Sequence, residues 1–410
     1  MKKLASSNKI RRHPACIRDG LTLIELMIAV ALTLVIVAAM IRAFTSASDQ
    51  ISEGRAKMDM HNKIRMVTET LRNDLQNATC SPRPRGLSDE RSGYFEIVEG
   101  AEVDADHAGD ANPDLRFLGD HDDVLSLTVR SDDVPFRGRF DGGFVESYLA
   151  EVTWWQVHEG ADDYDGNFRL YRRVLLIRPD LTTTETNFTT FYDDNDISVR
   201  REEGGPGLLM NSLEDLADRR NRFCHNTSTF PHELIPGLLD SRPLTGIYEG
   251  EDLMLDKCIG FDIKVFAPNA PVKVSGNYLV ETNDPGYAGV TDPAVAYGGY
   301  VDLGHGNGTN WFSDSAWDNG YTFSSFPNTY CTWTAMYESD GEDQDSDGLI
   351  DEGVDGVDNN NADGIDENAE RETQPPYPWP IRSIQVSIRM LESKSNIILQ
   401  KSIKESFVPN

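Results

Sequence analysis

Residues 20–41 read GLTLIELMIAVALTLVIVAAMI, a stretch with almost no polar side chain. From Leu21 to Ile41 the only strongly polar side chain is that of Glu25. As an α-helix this run would be about 31 Å long, which is close to the thickness of the hydrocarbon core of a bilayer. The sequence therefore predicts a transmembrane helix over residues 21–41.

Charged residues are distributed unevenly on the two sides of this run. The formal net charge is -30, but residues 1–20 carry +5, so the rest of the chain carries -35. Basic residues tend to stay on the cytoplasmic side of a membrane, which predicts a cytoplasmic N-terminus and an exported body. Because an acidic body repels phosphate backbones, we expect no nucleic acid as a direct partner and expect cations as ligands.

The helix is predicted to continue beyond the membrane. Apolar residues recur at three- and four-residue spacing in the segment that follows, and no proline lies between Leu21 and Pro82. The residues of this apolar stripe are Met60, Ile64, Val67, Leu71 and Leu75. We expect one helix from residue 21 to about residue 77, with residues 42–78 outside the membrane and the stripe packed on a β-sheet.

The start of the apolar run carries a short motif. Gly20-Leu21-Thr22-Leu23-Ile24-Glu25-Leu26-Met27 resembles the type IV prepilin motif, in which cleavage precedes the apolar helix, whereas an ordinary secretory signal loses that helix. The resemblance implies that residues 1–20 are a leader, that prepilin peptidase cleaves between Gly20 and Leu21, and that Leu21 becomes N-methylated. The motif departs from the family at Leu21, where phenylalanine is usual.

Glu25 is the single carboxylate inside the apolar run. An unpaired charge within a membrane is costly, so such a residue is by default a candidate for function. By the same resemblance, its partner is the free N-terminal amine of a neighbouring subunit, and the pair would align subunits during assembly. The alternative is an ordinary signal anchor that contains an incidental glutamate.

After Pro82 the apolar residues alternate with polar ones, which predicts β-strands. The predicted strands cover residues 124–129, 148–155, 168–177, 259–265, 384–390 and 397–408. The second and third of these form one hairpin, with a turn at residues 165–167, and the last two form another. Residues 178–206 and 269–335 show little periodicity, and a short helix is predicted at about residues 208–216.

These elements predict the α+β fold class, with a long N-terminal helix packed on an antiparallel β-sheet. We expect one globular domain over residues 79–410 that carries loop insertions at about 178–258 and 269–370. The order of elements resembles the minor pseudopilins of type II secretion, most closely the J class, and the related minor pilins of type IV pili. The segments that carry this resemblance are residues 122–130, 148–152, 170–174, 379–386 and 407–408.

The resemblance to pseudopilins implies a function and a location. The chain would be a structural, non-enzymatic subunit of the bacterial inner membrane, with a periplasmic body placed at or near the tip of a pseudopilus. Its partners would be prepilin peptidase, the other minor pseudopilins and the major one. The alternatives are a minor pilin of a type IV pilus or competence filament, and a pilin-anchored adhesion module that depends on calcium or carbohydrate.

Residues 340–367 form an acidic segment that reads DGEDQDSDGLIDEGVDGVDNNNADGIDE. Alternating carboxylates followed by glycine are typical of a calcium loop, because they converge on one cation while the glycine permits a sharp turn. The predicted ligands of the first site are Asp343, Asp345, Asp347, Asp351, Glu352 and the carbonyl of Leu349. A weaker second site is predicted at Asp358, Asn360, Asp363, Asp366 and Glu367. The pattern resembles thrombospondin type 3 and dockerin-like loops; the alternative is a solvated acidic run.

The part of the chain after the leader contains four widely spaced cysteines, namely Cys80, Cys224, Cys258 and Cys331. In an exported body they are compatible with two disulfides in any of three connectivities, and the alternative is buried free thiols. Their spacing does not suggest a zinc site.

Motifs of catalysis are weak in this sequence. His232-Glu233 begins like a zinc-protease helix, but Pro236 stands where the second histidine would be needed. His121 precedes a predicted strand, where capping of a turn is its expected role. The aromatic residues Trp154, Trp155, Trp311, Trp317, Tyr321, Phe323 and Trp333 could bind sugar rings, although packing in the core is the more ordinary explanation.

Overall fold

The computed structural model describes residues 22–83, 92–102, 118–158, 168–282, 284–304, 311–312, 327–361, 364–366, 370–392 and 397–407. The chain divides into two compact units, residues 1–58 and 59–410. In the first unit the described chain is helical from Leu23 onward. The second unit contains the rest of this helix and the β-strands that the structure describes.

The N-terminal helix α1 covers Leu23–Gln76. Its 54 residues correspond to a length of about 81 Å. Large apolar side chains from Leu23 to Ile51 are exposed, and α1 is long and apolar enough to cross a membrane. Within this run the hydroxyl of Thr33 donates to the carbonyl of Ala29 at 2.7 Å, so the helix itself satisfies it. The predicted long helix is confirmed.

The first β-sheet has six antiparallel strands. In spatial order they are β13 (Thr329–Cys331), β1 (Phe95–Val98), β2 (Val124–Arg130), β5 (Leu149–His158), β6 (Phe168–Leu176) and β9 (Leu253–Asp256). Val152 on β5 pairs with Val174 on β6, which confirms the predicted hairpin. Its predicted turn at 165–167 lies outside the described residues. Both edge strands, β13 and β9, come from segments where the sequence predicts insertions.

The second β-sheet is also antiparallel. Its path runs through β11 (Tyr278–Val280), β10 (Cys258–Ser275), β14 (Ser383–Glu392) and β15 (Ile397–Ser406), and β12 (Ala296–Val301) also pairs with β10. Ile384, Val386 and Ile388 are fully buried, as their alternation along β14 predicts. The last hairpin is confirmed over its described residues, with Val386 opposite Ile403.

The apolar stripe of α1 enters the main hydrophobic core. Met60, Ile64, Val67, Leu71 and Leu75 are all at most 3% exposed. They belong to one cluster with residues of both sheets, including Phe95, Leu127, Phe261 and Val386. Burying each such side chain contributes about 1.5–3 kcal/mol. This confirms that the second half of the helix packs on antiparallel sheet.

A buried acid also anchors α1 to the first sheet. Asp74 accepts two hydrogen bonds from the guanidinium of Arg172, at 2.8 and 2.7 Å, and a third from the indole nitrogen of Trp154 at 2.8 Å. Both partners lie on neighbouring strands, where they form a cross-strand pair. This polar contact fixes the rotation of the helix against the sheet, which apolar packing alone specifies less strictly.

The predicted helix at about residues 208–216 is wrong. Leu208–Met210 is a short strand, β8, which pairs with β7 (Val199–Arg201), and only Asp215–Ala217 forms a 3-10 helix. Leu208 and Met210 are buried while Leu209 is exposed, so the apolar residues follow a period of two.

Smaller elements are also described in the second unit. They include the hairpin β3 (Phe136–Phe140) and β4 (Gly143–Ser147), the short helices α2 (Phe188–Asp194) and α3 (Pro236–Leu239), and the 3-10 helices Arg219–Asn221, Gly246–Tyr248 and Ala335–Glu338. Asp141 and Gly142 join β3 to β4 with φ of 49° and 72°. Two successive positive φ values are those of a type I′ turn, for which Asp-Gly is a preferred pair, so the sequence does contain a signal for this hairpin.

Candidate functional site

The structure describes Glu25 in the first turn of α1 but not the predicted cleavage position, since Gly20 and Leu21 lie outside the described residues. The carboxylate of Glu25 accepts hydrogen bonds from the backbone N–H and the hydroxyl of Thr22, at 2.9 and 3.0 Å. The Glu25 N–H donates in turn to the Thr22 hydroxyl at 3.3 Å. This reciprocal arrangement is a capping box, which stabilises the start of the helix. The proposed role of Glu25 in assembly stays a prediction.

The first acidic loop gathers three of its predicted ligands. Asp343, Asp345 and Asp347 each offer a carboxylate oxygen within 4.8 Å of the other two. Two oxygens on opposite sides of a calcium ion would be separated by about 4.8 Å, given bond lengths near 2.4 Å. Gly348 follows them with a φ of 96°, and its N–H donates to Asp343 Oδ2 at 3.1 Å. Glycine thus allows the turn that the spacing requires.

The other predicted ligands of the first loop have different contacts. Asp351 Oδ1 accepts a hydrogen bond from the N–H of Gly341 at 3.2 Å, which closes the base of the loop. Glu352 is buried, and this burial, with a hydrogen bond to Glu372, raises the pKa of Glu352 to about 7. The structure therefore groups the first three aspartates, whereas Asp351 is bonded to Gly341 and Glu352 is buried. Leu349 follows the turn, with its N–H bonded to Asp347 Oδ1 at 2.8 Å.

Two buried glutamates hold the backbone of this loop. Glu372 accepts hydrogen bonds from the N–H groups of Gln344 and Asp351, at 2.6 and 3.0 Å. The N–H of Glu372 itself donates to the carboxylate of Glu338 at 3.0 Å. Glu338 and Glu372 lie outside the acidic segment, one on each side of it. Its local pattern therefore did not predict their role. Glu372 thus holds the loop backbone on its buried side, and Glu338 holds Glu372. The aspartates Asp345 and Asp347 are exposed.

The second acidic loop repeats the contacts of the first at an offset of 15 residues. The N–H of Gly356 donates to Asp366 Oδ1 at 2.8 Å, as that of Gly341 does to Asp351. Asp366 and Asp351 have nearly equal φ values, 56° and 54°. The segment is therefore a structural repeat.

Part of the predicted second site can be placed within this repeat. Asp358, Asn360 and Asp366 are described, whereas Asp363 and Glu367 lie outside the described residues. The backbone N–H groups of Asn359 and Asn360 both donate to the buried carboxylate of Glu370, which takes the position that Glu372 has under the first loop. Calcium binding by the second loop stays a prediction.

Three of the four cysteines lie in the hydrophobic core of the second unit. Cys224, Cys258 and Cys331 are buried free thiols. They belong to three different hydrophobic clusters, and Cys80 packs, half-buried, against the cluster of Cys258. The structure joins no two of Cys224, Cys258 and Cys331 in a disulfide, and a pairing among the four cysteines stays a prediction. Burial raises the pKa of the Cys224 and Cys258 thiols to about 12, so both stay protonated.

The remaining candidates of the sequence lie in ordinary structural surroundings. Trp154, Trp155 and Trp333 are at most 3% exposed, so their faces are not open to a sugar ring. Trp311 packs against a small cluster of the second sheet, whereas Trp317, Tyr321 and Phe323 lie outside the described residues. His121 makes an edge-to-face contact with Phe168, and His232 bonds to the carbonyl of Asn226 at 2.9 Å.

Comparisons with family models, with curated proteins and with solved structures gave no significant match for this chain.

Proposed function

We propose that this chain is a minor subunit of a type IV pilin-like filament, anchored in the bacterial inner membrane and most similar in organisation to the J-class minor pseudopilins of type II secretion. One observation carries the proposal. The single helix α1 joins an exposed apolar half, with Glu25 in its first turn, to a half whose apolar stripe is buried in antiparallel sheet. A helix of this kind would anchor the protein in the membrane with its first half and pack in the core of the folded second unit with its second half.

In the proposed mechanism, prepilin peptidase cuts after Gly20 and leaves the apolar helix in the mature protein. The new amine at Leu21 is positively charged, and Glu25 of the next subunit is the carboxylate within the apolar layer that can neutralise it. The pair sets the axial register of neighbouring helices because both partners avoid an isolated charge in hydrocarbon. The folded second unit contributes contacts with the other minor pseudopilins and with the major one. The assembled filament supports protein export.

The acidic loops supply a second element of the proposal, namely calcium binding at Asp343, Asp345 and Asp347. Calcium prefers carboxylate oxygens, and binding would remove the repulsion between these three charges. A pilin-anchored adhesion module is the second candidate function, favoured by the exposure of Asp345 and Asp347. Glycan binding by the full chain would support adhesion, whereas a stable complex with other minor pseudopilins would support the filament.

The proposal is tested by following the full chain in cells with and without prepilin peptidase. We expect a mature form shorter by the 20-residue leader, and only the precursor when the peptidase is absent. The variant Glu25→Ala should still be cleaved and inserted but should no longer crosslink to neighbouring pseudopilins. Glu53→Ala, on the same helix beyond the apolar run, is the matched control and should crosslink normally. Cleavage that continues without the peptidase would overturn the proposal.

A further inference from the structure

A second group of acids lies buried where the two sheets of the second unit meet. Glu99 directly follows β1, and Asp120 lies in the segment that leads into β2. Asp302 directly follows β12 of the other sheet. The segment around Asp120 is tied to β10, since the carbonyl of Asp120 accepts from the N–H of Phe261 at 2.8 Å. Residues far apart in the sequence are thus brought to one place.

The geometry of this group is that of a metal site. Glu99 and Asp120 are 0% exposed and Asp302 is 2% exposed. Each of the three offers a carboxylate oxygen within 4.8 Å of the other two. The three aspartates of the acidic loop also lie within 4.8 Å of one another, but that loop is at the surface, so burial distinguishes the two places. Buried carboxylates at this distance repel one another strongly, because little water screens them.

The contacts of Glu99 point to a missing positive partner. Glu99 Oε2 accepts a hydrogen bond from the N–H of Leu303 at 3.2 Å. Glu99 Oε1 is buried and has no hydrogen-bond partner among the residues that the structure describes. A buried acceptor without a partner is costly, and a buried carboxylate oxygen more so. A cation bound at this oxygen would remove that cost.

Further charged groups lie beside this cluster. Asp123 and Asp262 are also buried there, and Lys264 lies 3.8 Å from Asp262 and 3.9 Å from Asp302. Lys264 is closest to Asp284, at 3.1 Å.

We propose that Glu99, Asp120 and Asp302 bind a divalent cation of the calcium type at the junction of the two sheets. Among the described residues, the donor set consists of carboxylate oxygens, which hard cations such as calcium prefer, rather than the nitrogen and sulfur ligands typical of zinc.

The bound ion would act in folding. It would connect the end of β1 and the start of β2, in the first sheet, to the end of β12 in the second. These segments are distant in the sequence, so the ion would stabilise contacts that form only when the second unit is folded. The site does not depend on the proposed filament function, since it lies within the folded body rather than on α1.

The test uses the full chain in detergent and first removes carboxylates of both acidic loops with Asp345→Ala, Asp347→Ala, Asp358→Ala and Asp366→Ala. After treatment with a chelator and dialysis against calcium chloride, we expect this loop variant to retain one calcium ion per chain, measured by atomic emission. Adding Glu99→Gln and Asp302→Asn should lower the content to none. Glu281→Gln, a half-buried carboxylate that bonds the N–H of Tyr300 at 3.0 Å, is the matched control and should keep the ion.

Two outcomes would overturn the site. One is a folded loop variant, as judged by near-ultraviolet circular dichroism, that holds no calcium and melts at the same temperature with and without chelator; the cluster would then be neutralised by protons. The other is unchanged calcium content after Glu99→Gln and Asp302→Asn. Because the first measurement leaves the cluster intact, it decides the question even if the amide variant fails to fold.

Discussion

Glu96 and Glu99 lie three residues apart at the end of β1, and both are fully buried, yet their surroundings are opposite. Glu96 Oε1 accepts from Arg219 at 2.6 Å, and its Oε2 accepts from Arg222 at 2.7 Å and from His225 at 2.9 Å. Glu99 instead faces other carboxyl groups. The same side chain at equal burial is therefore stabilised as an anion in one place and destabilised in the other.

The pKa values follow these partners rather than burial. Burial alone would raise the pKa of Glu96, but Arg219, His225 and Arg222 outweigh it and hold that pKa well below its ordinary value. At Glu99, burial and neighbouring acids act in the same direction, so the pKa rises. The chain itself thus completes the network of Glu96, whereas Glu99 Oε1 has no hydrogen-bond partner among the described residues.

The largest effect is expected from breaking the complete network. Glu96→Gln should lower the free energy of unfolding by about 3–5 kcal/mol, because Arg219 and Arg222 would stay buried without their counter-charge. The measurement is urea unfolding of the full chain in detergent at neutral pH. Glu99→Gln is the matched control, and in chelator it should cost nothing or stabilise the protein, since an uncharged amide replaces an acid whose ionisation the neighbouring carboxyl groups oppose. Equal losses for the two variants would contradict the comparison.

The second prediction concerns pH in the presence of chelator. A raised folded-state pKa means that Glu99 contributes stability below its unfolded pKa, near 4.3, which is lost as pH rises toward the folded value. Glu96 has a lowered pKa, so its contribution is present above about pH 4.3 and is lost as pH falls. The groups that face Glu99 in this experiment are Asp120, Asp123, Asp262, Lys264 and Asp302.

Glu99→Gln should therefore flatten the decline in stability between about pH 5 and pH 8, by at most about 1.4 kcal/mol per pH unit for one proton. Unfolding by urea across this range measures the slope. Calcium should flatten the slope of the unmodified chain in the same way, because the ion replaces the protons. A chelated chain whose stability rises steadily from pH 5 to pH 8 would contradict the raised pKa values.

The smallest effect is expected at the exposed loop, where water already screens the carboxylates. With calcium a few-fold above its dissociation constant, binding should stabilise the chain by about 1 kcal/mol, and Asp345→Ala with Asp347→Ala should remove this increment. The measurement is the melting temperature of the full chain with Glu99→Gln, Asp302→Asn, Asp358→Ala and Asp366→Ala as background, so that the other two predicted calcium sites are removed. Asp180→Ala, an exposed acid outside the loop, is the control. A melting temperature indifferent to calcium in this background would leave the loop as a solvated acidic run.

Local sequence patterns predicted the secondary-structure elements better than the tertiary contacts between them. The spacing of Met60, Ile64, Val67, Leu71 and Leu75 identified the buried face of α1, because a helix repeats its contacts every three to four residues. The strand Leu208–Met210 has only three residues, which is too few to show whether its apolar residues repeat as in a helix or as in a strand. Its pairing with β7 decides that it is a strand. The role of Asp74 required the position of Arg172, which lies on a strand 98 residues further along the chain.

The sequence by itself determined the long apolar helix, its amphipathic continuation, the central strands and the acidic loops, since each depends on residues that are close in the chain. Only the tertiary structure decided which buried acids find positive partners. Glu96 and Glu99 are indistinguishable in a local pattern, and their difference comes from Arg219 and Arg222 on one side and Asp302 on the other. Electrostatic interactions depend on distance in space, which strand pairing sets and sequence separation does not.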